Sequence, residues 1–243
     1  QAIFWCFARM DVWGGFLSDT LTRIPTSHWF TPSGSMSSAV NQFRTSPGGA
    51  DSYANYAVFL CATVVNVLSD RNAPFAGHRG NSSELKTSFS ARWRALFDLL
   101  EDWYNRRPEE MQPLMSCPAT WDDHEHPFPI ILHGTSPAIN GNQLYHASML
   151  LMLQEKPKDI RLGKGHRSIQ WHARQVCGIA ASNNIHGPWI NALQPLWIAG
   201  KVMSHPTEHR AILDILTRIE KETGWATAWR AEDLIEYWGE AEE

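Results

Sequence analysis

The sequence predicts an all-α fold, an irregular multi-helix domain of about eight helices in which residues 1–243 form a single unit. Three observations predict it. Apolar residues recur at three- and four-residue spacing in several blocks, clusters of Pro, Gly and Ser divide those blocks, and the two-residue alternation of a strand is nearly absent. The chain has 243 residues, 43% of them hydrophobic and 19% charged, which is enough for one sizeable core and too apolar for a disordered segment.

Residues 3–20 mix aromatic and small apolar positions and read as the first helix. The opening QAIFWCFARMDVWGGF lacks the basic-then-apolar layout of a secretory signal, so the chain is expected to start inside a helix cut from something longer. TRIPTSHWFTPSGSMSS and RTSPGGA read as a Ser-, Pro- and Gly-rich loop. Asp51 is expected to cap a helix through YANYAVFLCATVVNVLSD, where a length near twenty residues outweighs the β-branched run. Residues 70–86, with Pro74, Gly77 and Gly80, read as a second loop.

Trp93, Leu96, Phe97, Leu100, Trp103 and Tyr104 trace one apolar face and predict the clearest helix. Pro108, Pro113, Pro118, Pro127, Pro129 and Pro137 then exclude a long regular element over residues 105–137, and predict an extended crossover packed on the surface. Ser136 and Pro137 mark the next start. Residues 139–154 are apolar on nearly every side, as a central helix requires. Ile169, Ala173, Val176, Cys177 and Ala180 mark another amphipathic helix. Pro188 opens one through Trp189, Leu193, Leu196 and Trp197, and Pro206 opens the next, with its stripe Ile212, Ile215, Leu216 and Ile219 and Gly224 as C-terminal cap. A last short helix spans about residues 230–238 before the acidic end GEAEE.

Charge and cysteine usage exclude several functions. The formal charge of −4 argues against direct nucleic-acid contact by this segment, because such affinity comes from clustered cations. The longest apolar runs, residues 57–65 and 147–153, fall short of the roughly 20 residues a bilayer needs, so a soluble chain with no membrane partner is expected. Cys6, Cys61, Cys117 and Cys177 are separated by 55, 56 and 60 residues, which matches no metal-ligand spacing and suits a reducing compartment.

Short motifs resolve toward structural roles. HPTEH at residues 205–209 spells an inverted zinc-peptidase motif, but Pro206 fits the first helical position, which leaves His205 at the N-cap and out of line with His209. Glu208 then meets the helix dipole. WDDHEHPFP at residues 121–129 gathers Asp122, Asp123, His124, Glu125 and His126, yet lies in the proline-rich crossover and reads as a solvated loop. LGKG at residues 162–165 lacks the strand and spacing of a phosphate loop. Ser182, His172 and Asp214 form a nominal triad that nothing local singles out. No catalytic residue, metal site or cofactor is therefore expected. The densest unusual feature is residues 171–197, where Trp171, Trp189 and Trp197 interleave with His172, Asn183, His186, Asn191 and Gln194. Amphipathic rings beside amides are what a small-molecule pocket uses, and these eight residues are the expected ligand lining.

Longer strings carry a resemblance. FWCFARMDVWGGF near the start, WRALFDLLEDWYNRRPEEMQPL at residues 93–114, FPIILHGTSPAINGNQLYHASMLLMLQEKP at residues 128–157, and both WHARQVCGIAASNN and ALQPLWIAGKVMSHPTEHRAILDILTRIEKETGWATAWRAEDLIEYW beyond them resemble the fungal-specific transcription factor domain. That domain is the regulatory region following the DNA-binding zinc binuclear cluster in a large group of fungal regulators, and the likeness runs from about residue 3 to 238 in one order. The resemblance implies a helical effector domain that senses a small apolar metabolite and engages a coactivator or other regulatory protein. It also implies a protein that is nuclear or shuttles between cytoplasm and nucleus, and a homodimer is a further partner expectation. The six-cysteine cluster, its basic linker and the first helices of that domain are not among these residues, so DNA binding, dimerisation and metal content do not carry over.

Two other classes compete. A standalone enzyme of secondary metabolism, a cyclase or isomerase on the same scaffold, would need His172 or His186 as acid or base in a closed pocket. An interaction module would use Glu236, Glu240, Glu242 and Glu243 to recruit coactivators.

Overall fold

A computed structural model describes residues 2–29, 36–45, 49–72, 88–120 and 126–240. Among them, nine α-helices and one two-stranded ribbon occur in the order α1 (Ala2–Ser18), α2 (Met36–Thr45), α3 (Gly49–Ser69), α4 (Phe89–Asn105), β1 (Met115–Cys117), β2 (Ile130–Leu132), α5 (Ser136–Gln154), α6 (Ile169–Ser182), α7 (His186–Gly200), α8 (Pro206–Thr223) and α9 (Ala228–Trp238). The all-α expectation holds, with one helix more than the sequence indicates.

α5 is the axis of the molecule. Its run from Gly141 to Met152 is buried on every side, and α3, α4, α6 and α7 pack around it. Thr135 caps it, its side chain accepting the Ala138 N–H at 3.3 Å. α3 lies alongside, and by length and composition its 21 residues could cross a bilayer. Its apolar content serves the core instead: Tyr56 to Val65 are all buried, facing α5 on one side and α1 on the other. Around the near end of α3, Trp5, Trp29, Phe43, Tyr56 and Phe59 form an aromatic cluster, with Phe43 stacked on Tyr56 at 4.8 Å.

α4 buries Trp93, Leu96, Phe97, Leu100 and Trp103, as its spacing predicts. The two indoles also take hydrogen-bond partners outside their own helix. Trp93 donates to the Met152 carbonyl at 2.8 Å. Trp103 donates to the Tyr53 carbonyl at 3.1 Å, while the Tyr53 hydroxyl donates back to the Trp103 carbonyl at 2.7 Å. α8 begins and ends where Pro206 and Gly224 indicate. His205 is its extended N-cap, and Gly224 closes it in the left-handed region at φ 72°, which an L side chain adopts only with strain. One carboxylate builds the next corner: Glu220 accepts the Thr227 N–H, the Thr227 hydroxyl and the Ala228 N–H at 2.7, 3.0 and 2.9 Å, which holds its pKa below the usual range.

Four expectations need correction. α2 occupies Met36–Thr45, inside the stretch read as loop, because Ala39, Val40 and Phe43 give it a narrow buried face among polar residues. α3 starts at Gly49, so Asp51 is a first-turn carboxylate and not the cap. α7 starts at His186, two residues before Pro188. The proline-rich crossover holds a short antiparallel ribbon and is not purely superficial, since Met111, Phe128, Ile131 and His133 are buried. The second loop lies outside the described residues beyond Asn72.

Candidate functional site

The ribbon pairs Met115 with Leu132 and Cys117 with Ile130, leaving each strand one free edge. β2 satisfies its free edge with side chains, because the end of α6 stands where another strand would be. Ser182 Oγ accepts the Ile131 N–H at 3.0 Å, Asn183 Oδ1 accepts the His133 N–H at 2.9 Å, and Asn183 Nδ2 donates to the Ile131 carbonyl at 2.7 Å. Gly178 makes the contact close enough, since a Cβ there would collide with the Pro129 carbonyl oxygen.

Strand alternation then sorts the side chains. Ile131 points inward and packs with Ile139 and Ile179, while Ile130 and Leu132 face outward. These two, with Met115, Phe128 and Pro129, form one wall of a groove of about 510 Å³ whose other wall is Ala211, Asp214, Ile215 and Arg218 of α8. Ala181 and Ser182 lie between them, and His126 and Pro127 close one end. The walls are mostly apolar and the polar groups are few. Arg218 donates to the Ala181 carbonyl at 3.2 Å, and its buried Nε has no partner. Ser182 spends one lone pair on Ile131 and keeps its hydroxyl proton for a further acceptor. A cleft of this size, apolar with a cation and a hydroxyl at one margin, suits a small amphipathic molecule carrying a hydrogen-bond acceptor.

None of the eight residues expected to line a ligand borders this groove. The structure places four of them at two junctions and the other four in local contacts. At the first, His172 is buried with its Nδ1 3.0 Å from His146 Nδ1, and Trp171 stands edge-on to both imidazoles. Burial pushes the His172 pKa down to about 3, with Arg167 adding to it. Burial, His172 and Arg107 together hold His146 well below its ordinary value, and burial pushes neighbouring His133 down to about 4. The imidazoles are therefore neutral near pH 7, one donating from Nδ1 and the other accepting there.

At the second junction, α7 meets α9. Gln194 accepts from Arg230 at 2.9 Å, and the Trp197 ring lies between Lys201 at 3.9 Å and the Arg230 guanidinium at 4.3 Å. The remaining members serve local structure. Asn183 ties the ribbon, Trp189 donates to the Ala180 carbonyl at 3.0 Å, and Asn191 donates to the Gly187 carbonyl at 3.1 Å, while exposed His186 stands 3.8 Å from Glu222.

The other motifs are also placed. His205 caps α8, accepting the Thr207 N–H. Both nitrogens of His209 are engaged, by Glu240 at 2.7 Å and the Met203 carbonyl at 3.1 Å, and its ring stacks on Trp238. Glu208 does more than meet the helix dipole: it is buried and accepts two hydrogen bonds from Arg174 of α6, at 3.0 and 2.6 Å. Among the described residues no group of His, Cys, Asp and Glu is arranged to hold a metal ion. Asp122, Asp123, His124, Glu125, Glu242 and Glu243 lie outside the described residues. Ser182 and Asp214 both border the groove, whereas His172 lies in its own buried pair, so the nominal triad is not assembled.

The groove residues escaped sequence reasoning because they come from four separated segments. One signal was available: Ile130 and Leu132 are apolar on the solvent side of a strand, which is where a ligand or partner contact is expected.

The fold is helical, with an apolar groove between the ribbon and α8. The sequence is 25% identical to the transcription activator AMTR1 of Alternaria alternata, over 98% of this chain, and the chain spans 36% of that protein's length. Nearly all of the chain is thus similar to part of a fungal transcription activator. No family model matches the chain, and no solved structure matches it.

Proposed function

We propose that this chain is the regulatory, ligand-sensing domain of a fungal zinc-cluster transcription activator, a member of the fungal-specific transcription factor domain family that acts by binding and conformational change. The observation carrying this reading is similarity to a transcription activator across 98% of the chain. The groove between the ribbon and α8 supports the sensing part. Its volume of about 510 Å³ lies within the range that takes small molecules. The ligand is a small apolar metabolite with an acceptor atom directed at Arg218 Nε and the Ser182 hydroxyl. Bound there, it favours one spacing of ribbon and α8 over another and shifts the population between them. The shifted surface is read by a coactivator or other regulatory protein in the nucleus. DNA contact belongs to other parts of the whole protein, in keeping with a net charge of −4 here.

A thermal-shift screen against sterols and fungal secondary metabolites tests this, with binding isotherms for each hit. A ligand at about 100 times its dissociation constant should stabilise the protein by about 2.7 kcal/mol. Ile215→Glu, at the groove wall, should abolish the shift, and the same ligand should change reporter output when the chain is tethered to a heterologous DNA-binding domain. Silence of the whole screen at saturating concentrations, together with a tethered chain that leaves the reporter unchanged, would overturn the reading.

A further inference from the structure

The groove between the ribbon and α8 carries two opposite charges that no described residue neutralises. Asp214 and Arg218 both border it from α8, four residues and so about one helical turn apart, with roughly 5–6 Å between Cβ atoms. Elsewhere in the chain the same spacing closes into ion pairs. Asp102 meets Arg106 at 2.6 Å, and Arg94 meets Asp98 at 3.0 Å. Asp214 and Arg218 stand in the order of the first pair, carboxylate ahead of guanidinium, which is the favourable order along a helix. Among the described residues, however, neither forms an ion pair, with the other or with a third group.

The pair stays open because Arg218 is held elsewhere. It donates to the Ala181 carbonyl at 3.2 Å, and its guanidinium lies over the Trp189 ring at 5.0 Å, so the group is drawn toward α6 and α7. Neither partner is charged. Its buried Nε has no acceptor, so both a donor and the whole positive charge remain unspent. Asp214 is exposed at the groove margin with its oxygens unengaged.

These charges select the guest. A carboxylate alone would pair with Arg218 and meet Asp214 as a like charge, and an ammonium alone would do the reverse. A zwitterion answers both. An α-amino acid carries its two charges on one carbon, which suits side chains one helical turn apart, and its own side chain then projects onto the apolar walls at Ile130, Leu132 and Ile215.

We infer that the ligand of this groove is an apolar α-amino acid, its ammonium on Asp214, its carboxylate on Arg218 and the Ser182 hydroxyl, and its side chain between ribbon and α8. This rests on the proposed binding at the groove and narrows the ligand from amphipathic metabolites in general to zwitterions.

Isothermal titration calorimetry of the 243-residue chain with L-leucine, L-phenylalanine and L-tryptophan, each beside its N-acetyl and its amide derivative, tests this. The free amino acid should bind at least about tenfold more tightly than either derivative, since one lacks the ammonium and the other the carboxylate. Asp214→Asn, at an exposed position that leaves the helical spectrum unchanged, should weaken the free amino acid at least about tenfold and leave the N-acetyl derivative unaffected. Arg218→Gln should do the same with the amide as the unaffected form. Equal binding of the three forms, or no saturation by any amino acid at about 10 mM, would overturn the inference. So would a neutral sterol or other uncharged metabolite whose binding is lost in Ile215→Glu and indifferent to Asp214→Asn, and that outcome would leave the sensing reading standing.

Discussion

His146 and His172 meet ring to ring in the interior, and His133 is buried nearby. All three resist protonation in the folded state, while in the unfolded chain each titrates near its ordinary value of about 6.5. Above that value the shifts cost nothing. As the pH falls from about 6.5 toward the folded values of about 4 for His133 and about 3 for His172, the unfolded chain takes up protons that the folded chain refuses. Stability should therefore fall by up to about 1.4 kcal/mol per pH unit for each imidazole. Melting temperatures between pH 7.5 and 5 should drop steeply below about 6.5, and His172→Gln should flatten that slope; a pH-independent midpoint would contradict the assignment. The sequence made His172 conspicuous, because it follows a Trp in a polar-aromatic run. It could not show the partner, since His146 sits on a helix apolar all round and the two meet only through packing of α5 on α6.

At the scale of elements, those legible in sequence carry their own boundary signals. α4 has an uninterrupted apolar stripe, and α8 has a proline at its first position and a left-handed glycine past its last. Gly224→Ala should cost about 1 kcal/mol in chemical denaturation, the strain of an L residue at that φ. Elements held together from elsewhere were not legible. α2 has a three-residue buried face supported by aromatic rings of α1 and α3, and its Ser-rich start reads as a loop. The ribbon has paired strands of three residues each, and the free edge of the second is held by side chains about fifty positions further on. Asn183→Ala removes bonds to both the His133 N–H and the Ile131 carbonyl and should cost about 2–3 kcal/mol. Gly178→Ala, which forces Pro129 away from α6, should cost about 1–3 kcal/mol and enlarge the groove. Equal stability of either variant with the parent would mean that α6 does not anchor the ribbon.

Across the whole molecule one continuous apolar cluster runs from Ala8 and Val12 of α1 through α3, α4, α5, α6, α7 and α8 to Leu234 of α9. Parts that share a core unfold together, so far-ultraviolet dichroism and tryptophan fluorescence should trace one coincident urea transition. Separated transitions would divide the chain into independent units. The presence and composition of this core were readable from periodicity. The groove was not, because the ribbon, the end of α6 and the face of α8 adjoin only after the chain has folded. The join between ribbon and α6 has a mechanical consequence. Ser182 ends α6 and Asn183 caps it, just before the short turn into α7, so the ribbon is tied directly to that turn. On the proposed binding at the groove, a guest that displaces the ribbon should be felt at the start of α7, where a change in Trp189 fluorescence would report it.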